Sequence, residues 1–138
     1  MAASLATDSS VAVPLLVADH PANAAVSRWR ADRRLVLAGH ALAETYSVLT
    51  RLPGDLRCLP ADAARLLNRE FGTPLPMRAK TFRRLAPLLS EREIAGGAVF
   101  DALVGLAAVD NDLVLASRDA RARRTYEAVG ATVEFVAT

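Results

Sequence analysis

Gly96-Gly97-Ala98-Val99-Phe100-Asp101-Ala102-Leu103-Val104-Gly105-Leu106-Ala107-Ala108-Val109 and, just beyond, Leu113-Val114-Leu115-Ala116-Ser117-Arg118-Asp119 decide how this chain folds. The first stretch has the composition of a helix that is apolar on nearly every face, and such a helix belongs inside a protein. The second is a run of Leu and Val short enough for a strand covered on both faces. Each carries a carboxylate where a core would exclude one: Asp101 in the first turns of the helix and Asp119 at the end of the strand. A buried carboxylate is costly unless it is paired, so the pair calls for a cation.

Working outward, the same alternation recurs. Residues 4–7 predict a short buried strand ending on Asp8, and a helix begins near Ser10, because Pro14 is tolerated only close to a helix start. Residues 21–32 predict a second helix with Ala25, Val26 and Trp29 inward, and residues 35–38 a second strand that turns at Gly39. Residues 41–52 form a third helix whose buried stripe is Ala41, Thr45, Val48 and Leu52, with Glu44 on its edge. Residues 60–71 start a helix with Pro60 and the early Asp62, both suited to a first turn. Residues 79–89 predict a helix with Phe82, Leu85, Leu88 and Leu89 inward and Arg78, Lys80, Arg83 and Arg84 in solvent. A helix over 120–129, stopped by Gly130, and a strand over 132–136 complete the chain. Short apolar strands separated by helices define an α/β protein with a parallel sheet covered on both faces.

At 138 residues the chain is expected to form one domain, 1–138. With 52% hydrophobic and 23% charged residues, it is not a disordered chain. The net charge is only +2, but the cations are sixteen Arg and one Lys. Arg presents a planar fork to phosphate, although a coding bias towards Arg and Ala produces the same excess. The single cysteine, Cys58, excludes an intrachain disulfide and a cysteine zinc cluster. No apolar run approaches the roughly 20 residues of a membrane span, and the N-terminus lacks the pattern of a signal peptide. A cytoplasmic location is expected.

Ligands of an open parallel sheet bind beyond the carboxyl ends of its strands. Asp8 and Asp119 follow strands directly, and Glu44 and Asp101 lie on helices leaving the same edge. Four acids from distant parts of the chain converge there in apolar surroundings. Like charges raise one another's pKa, and a hard divalent cation with oxygen ligands relieves this. Each acid also has a plainer role available: Asp8 or Asp119 as a helix cap, Glu44 paired with an arginine. Asp101 has none among its helix neighbours. His40, one turn before Glu44, fits a cap or surface residue better than a metal ligand, and Asp110 and Asp112 flank a solvated turn. There is no G-x-x-x-x-G-K-[ST] loop, no G-x-G-x-x-G turn and no G-x-S-x-G elbow.

Thr7-Asp8-Ser9-Ser10-Val11, Ala43-Glu44-Thr45-Tyr46-Ser47-Val48-Leu49, Gly96 to Leu103 and Leu113 to Asp119, in that order, resemble the PIN domain, and more narrowly the VapC toxins of bacterial VapBC toxin–antitoxin pairs. The resemblance spans the chain and is weakest over residues 59–89. It implies an α/β/α sandwich and a metal-dependent endoribonuclease. It implies that Asp8, Glu44, Asp101 and Asp119 form the acidic site, binding Mg²⁺ or Mn²⁺, with Ser9, Ser10 and Ser117 in support. An activated water would attack an RNA phosphodiester, with arginines such as Arg28, Arg118 and Arg121 holding the backbone. It further implies a VapB-like antitoxin and a homodimer or toxin–antitoxin hetero-oligomer. Two other readings are a PIN fold that only binds, and a housekeeping nuclease acting on RNA or DNA.

Overall fold

Leu5, Ala6 and Thr7 are buried side by side because β1 (Ser4–Thr7) lies inside the sheet, flanked by strands that come later in the chain. The computed structural model describes residues 4–137. Its sheet has the order β2-β1-β3-β4, with β2 at Arg34–Leu37, β3 at Leu115–Ser117 and β4 at Val133–Phe135. Every pairing is parallel: Leu5 lies opposite Leu35, Thr7 opposite Ala116, and Ser117 opposite Phe135. Parallel pairing sends every strand's carboxyl end to one edge. Asp8 and Asp119 therefore emerge on the same side.

Helices cover both faces, giving a three-layer α/β/α sandwich. They are α1 (Ser9–Leu16), α2 (Asn23–Arg30), α3 (His40–Thr50), α4 (Pro60–Phe71), α5 (Ala79–Arg83), α6 (Leu85–Glu91), α7 (Ala98–Asp110) and α8 (Ala120–Ala128). The main core gathers Leu35, Leu37, Leu49, Val26, Val104 and Leu115, all essentially solvent-free. Full burial of such a side chain contributes about 1.5–3 kcal/mol.

Two glycines set the approach of elements. Gly39 caps α3 with φ +36°, and its N–H donates to the Leu75 carbonyl at 2.8 Å. Gly105 lies where α7 meets α8: a Cβ there would stand 2.8 Å from Val129 Cγ2 and 3.3 Å from Tyr126 Cα. Only a residue without a side chain lets α8 settle this close.

The structure corrects the sequence reading in three places. The helix expected over 79–89 is two helices meeting at Arg84. Pro87 removes an N–H and crowds the carbonyl four residues back, at Arg83, so the first helix ends there. Phe82, expected inward, is 65% exposed, while Leu85, Leu88 and Leu89 join Ala102, Leu106 and Val129 in a second small core. Trp29 is more than a packing residue: its Nε1–H donates to Glu134 Oε2 at 2.7 Å, and the Arg33 guanidinium, bonded to the same oxygen, lies over its ring.

Candidate active site

Asp8 leaves β1 with its carboxylate turned inward and only 3% exposed. It caps α1, and both of its oxygens are doubly bonded. Oδ1 accepts from Ser10 N–H at 3.1 Å and from Ser10 Oγ at 2.6 Å. Oδ2 accepts from Ser117 Oγ at 2.6 Å and from the Tyr126 hydroxyl at 2.7 Å. Charge-assisted bonds of this kind are short and strong.

The two serine hydroxyls are themselves oriented. Ser10 Oγ accepts from Arg118 N–H at 2.8 Å and Ser117 Oγ from Asp119 N–H at 3.0 Å. Each hydroxyl thus takes a backbone proton on its lone pair and directs its own towards Asp8. Pro14 has no N–H for the Ser10 carbonyl one turn back, and Arg118 Nη1 donates to that carbonyl at 3.3 Å. The loop after β3 is in this way pinned to the first turn of α1.

Asp119 caps α8, its Oδ1 accepting from Arg121 N–H and Ala122 N–H at 3.0 and 3.2 Å. The capping role and a place at the acidic edge are therefore compatible. Arg121 Nε stands 3.9 Å from the same oxygen on an almost fully exposed side chain.

Glu44 on α3 and Asp101 on α7 complete the edge, both half-buried. Neither carries a hydrogen bond or ion pair among the described residues. Burial pushes both carboxyls above their ordinary range. Repulsion adds to it: Asp101, Asp8 and Asp119 act on Glu44, while Asp119 and Asp8 act on Asp101. His40 opposes the shift at both, and Arg121 at Asp101. The four carboxyl groups thus sense one another electrostatically.

Among the described residues no three carboxylate, imidazole or thiol groups are drawn together into a ready metal cage. The donor set nonetheless suits a hard cation. It consists of carboxylate oxygens, and two of the four carboxyls are raised by burial and by neighbouring acids. Mg²⁺ retains several waters and uses one or two carboxylates directly, so a closed cage is not required.

Ser9 opens α1 and lines a hollow of about 290 Å³ with His40, Glu44 and Arg51. A larger hollow of about 460 Å³, lined by Leu42, Tyr46, Leu67 and Pro74, is mostly apolar and has none of the four acids in its lining. Arg28 is exposed on α2, which packs on α1.

The sequence reading missed Tyr126. Burial and the adjacent Asp8 charge hold its phenol protonated, and the hydroxyl donates to Asp8. The available signal was a polar-tipped aromatic on the inner face of the helix after β3, three positions from Val129.

A parallel sheet with acids gathered at its carboxyl edge is the arrangement of the PIN domain, and the pattern defining that domain matches residues 5–128. The chain belongs to the PIN-domain family, in its VapC branch. It is 57% identical over 133 residues to Ribonuclease VapC27 of Mycobacterium tuberculosis (strain ATCC 25618 / H37Rv), covering 96% of this chain and 97% of that protein. It is 40% identical over 133 residues to Ribonuclease VapC40 of Mycobacterium tuberculosis (strain CDC 1551 / Oshkosh), covering 96% and 98%.

Proposed function

We propose that the chain is the toxin of a VapBC pair, an endoribonuclease that hydrolyses RNA phosphodiesters with a divalent cation, Mg²⁺ or Mn²⁺, at Asp8, Glu44, Asp101 and Asp119. The observation that carries this reading is the excess of negative charge at one edge. Glu44 and Asp101 are half-buried, without a hydrogen bond or ion pair among the described residues, and pushed towards protonation by burial first and then by neighbouring carboxylates. Relatives named as ribonucleases that align over nearly the whole chain support the activity.

A divalent cation bound among these carboxylates supplies positive charge to a phosphoryl group and acidifies a water. The chain's own residues do the rest. Asp8 is fixed by four donated hydrogen bonds, so its oxygens keep their direction. Glu44 and Asp101 approach from two helices across the edge, and a cation there would offset the burial and repulsion that raise their carboxyls. Asp119, held as the cap of α8, keeps its second oxygen for the site. Arg121, exposed beside Asp119, is placed to meet a substrate phosphate.

A VapB-like antitoxin is the expected inhibitor and RNA the substrate. A homodimer or toxin–antitoxin hetero-oligomer and a cytoplasmic location complete the reading, with residues 1–138 as one domain. Among the described residues no helix is long and apolar enough to cross a membrane.

The test is cleavage of total cellular RNA by antitoxin-free protein with Mg²⁺ or Mn²⁺, with chelator, and with Asp101→Asn alongside. Discrete fragments that need the metal and vanish in the variant are expected. Equal cleavage by Asp101→Asn would overturn the assignment.

A further inference from the structure

Phe100 precedes Asp101 in the first turn of α7 and is 52% exposed, although most of the helix after it is buried. Exposure of one aromatic means little by itself. Here its position matters. The ring stacks on the imidazole of His40, the first residue of α3, with centroids 5.1 Å apart and planes 23° from parallel. That is the offset-stacked geometry aromatic pairs prefer. The pair joins the starts of the two helices that carry Glu44 and Asp101. His40 is near enough to both acids to oppose their upward shift, and it lines the hollow that also holds Glu44.

A substrate that brings phosphates to this edge meets carboxylates. Apart from a bound cation, its grip must come from groups that do not mind the negative charge. A nucleobase is uncharged, and single-stranded RNA presents bases free to splay onto aromatic side chains. The half-exposed ring of Phe100, backed by His40, offers a flat apolar surface within one residue of Asp101. Resting on the ribonuclease reading above, we infer that His40 and Phe100 form a stacking platform that seats one unpaired nucleobase of the RNA beside the acidic site. Phe100 makes the contact and His40 holds its ring in place. Every base has a π-face, so the platform fixes the position of the strand rather than its sequence.

Stacking of one base on an aromatic ring changes binding by about 5- to 150-fold. The test uses a short unstructured RNA and a strand of the same length made of abasic sugar phosphates. Binding of both is measured in chelator, so that nothing is cut. Wild type is expected to bind the base-bearing strand about tenfold tighter than the abasic one. Phe100→Ala should remove that preference and leave abasic binding unchanged. Phe100→Trp should restore it, with the new indole fluorescence quenched by the base-bearing strand only. With metal present, Phe100→Ala should raise KM for RNA and change kcat little. Melting temperatures should be alike, because the ring is exposed. An unchanged preference in Phe100→Ala, the result also expected if the platform serves a side chain of a protein partner, overturns the platform. Wild-type cleavage in parallel keeps the two ideas apart. Cutting with no base preference rejects the platform alone, whereas a wild type that neither cuts nor binds RNA rejects the ribonuclease reading and the platform with it.

Discussion

On the strand side of the site, Asp8 receives four hydrogen bonds from Ser10, Ser117 and Tyr126. On the helix side, Glu44 and Asp101 receive none among the described residues. The two sides carry the same chemical group under opposite conditions. One carboxylate is held in place by hydrogen bonds that the fold itself supplies. The other two are placed by their helices and left to a counter-ion. A carboxylate that the fold has already satisfied costs nothing more when the site is empty. One that is unsatisfied makes the empty site unstable and gives a cation something to relieve.

The largest effect that would break this contrast is Asp101→Asn. Cleavage should fall by more than the roughly 10- to 100-fold typical of losing a partner one shell out from a metal. Yet the melting temperature of the metal-free protein should hold or rise, because the neutral amide removes a repelled charge. A fall in both would mean that Asp101 is structurally satisfied after all.

Next is the cation itself. Glu44 and Asp101 bind protons more readily folded than unfolded. Their contribution to stability is therefore full below the ordinary carboxyl values of 3.8 and 4.5, and it is lost as pH rises through their raised folded values. Saturating Mg²⁺ or Mn²⁺ should recover that loss near neutral pH, by about 2.7 kcal/mol at a hundredfold excess over Kd. At pH 4 the same addition should do little. Calorimetric scans at the two pH values check the sign.

On the strand side, Tyr126→Phe deletes one donor to Asp8 Oδ2 and keeps the ring. A hydrogen bond to a charged group is worth about 1.5–3 kcal/mol, and chemical denaturation should show a loss in that range. Cleavage should drop about 10- to 100-fold through misplacement of Asp8. A Gly105→Ala variant sharpens the point from a distance. Its methyl would press on Val129 and on the backbone of Tyr126, an overpacking that costs about 1–3 kcal/mol, and cleavage should fall with no change to any polar group.

The smallest effect lies away from the site. Burial raises the Glu134 carboxyl, but the hydrogen bonds from Arg33 and Trp29 and the Arg33 charge outweigh it and hold the group below its usual range. Its stabilisation is present at neutral pH and lost as pH falls through that lowered value. Glu134 is over one-third exposed, so Glu134→Gln should cost only about 0.5 kcal/mol and leave cleavage untouched.

The strands and the acids that follow them were legible because parallel strands are apolar throughout, so a carboxylate at the end of such a run stands out. Asp101 stood out for the same reason on α7. The hydrogen bonds of Asp8 were not legible. Tyr126 lies 118 residues away, and along α8 its ring reads simply as part of an inward face. Trp29 and Glu134 likewise meet across the fold, and periodicity reports which way a residue faces but not what it meets. The break at Arg84 was a different kind of miss: Pro87 is plain in the sequence, and its clash with the preceding turn is a local rule. Phe82 followed the helical stripe on paper and faces solvent in the structure because the stripe ends at that break.

The order in which the chain is made gives the pinned Asp8 a further meaning. The residue follows a strand whose sheet partner β3 comes more than a hundred residues later in the chain. Two of its donors, Ser117 and Tyr126, are made more than a hundred residues after it, and a ribosome adds about 5–20 residues per second. Until Tyr126 has left the exit tunnel, the carboxylate lacks the hydroxyls that orient it. The assembled site thus depends on α8, and any product truncated before that helix carries the acids without the frame that holds them.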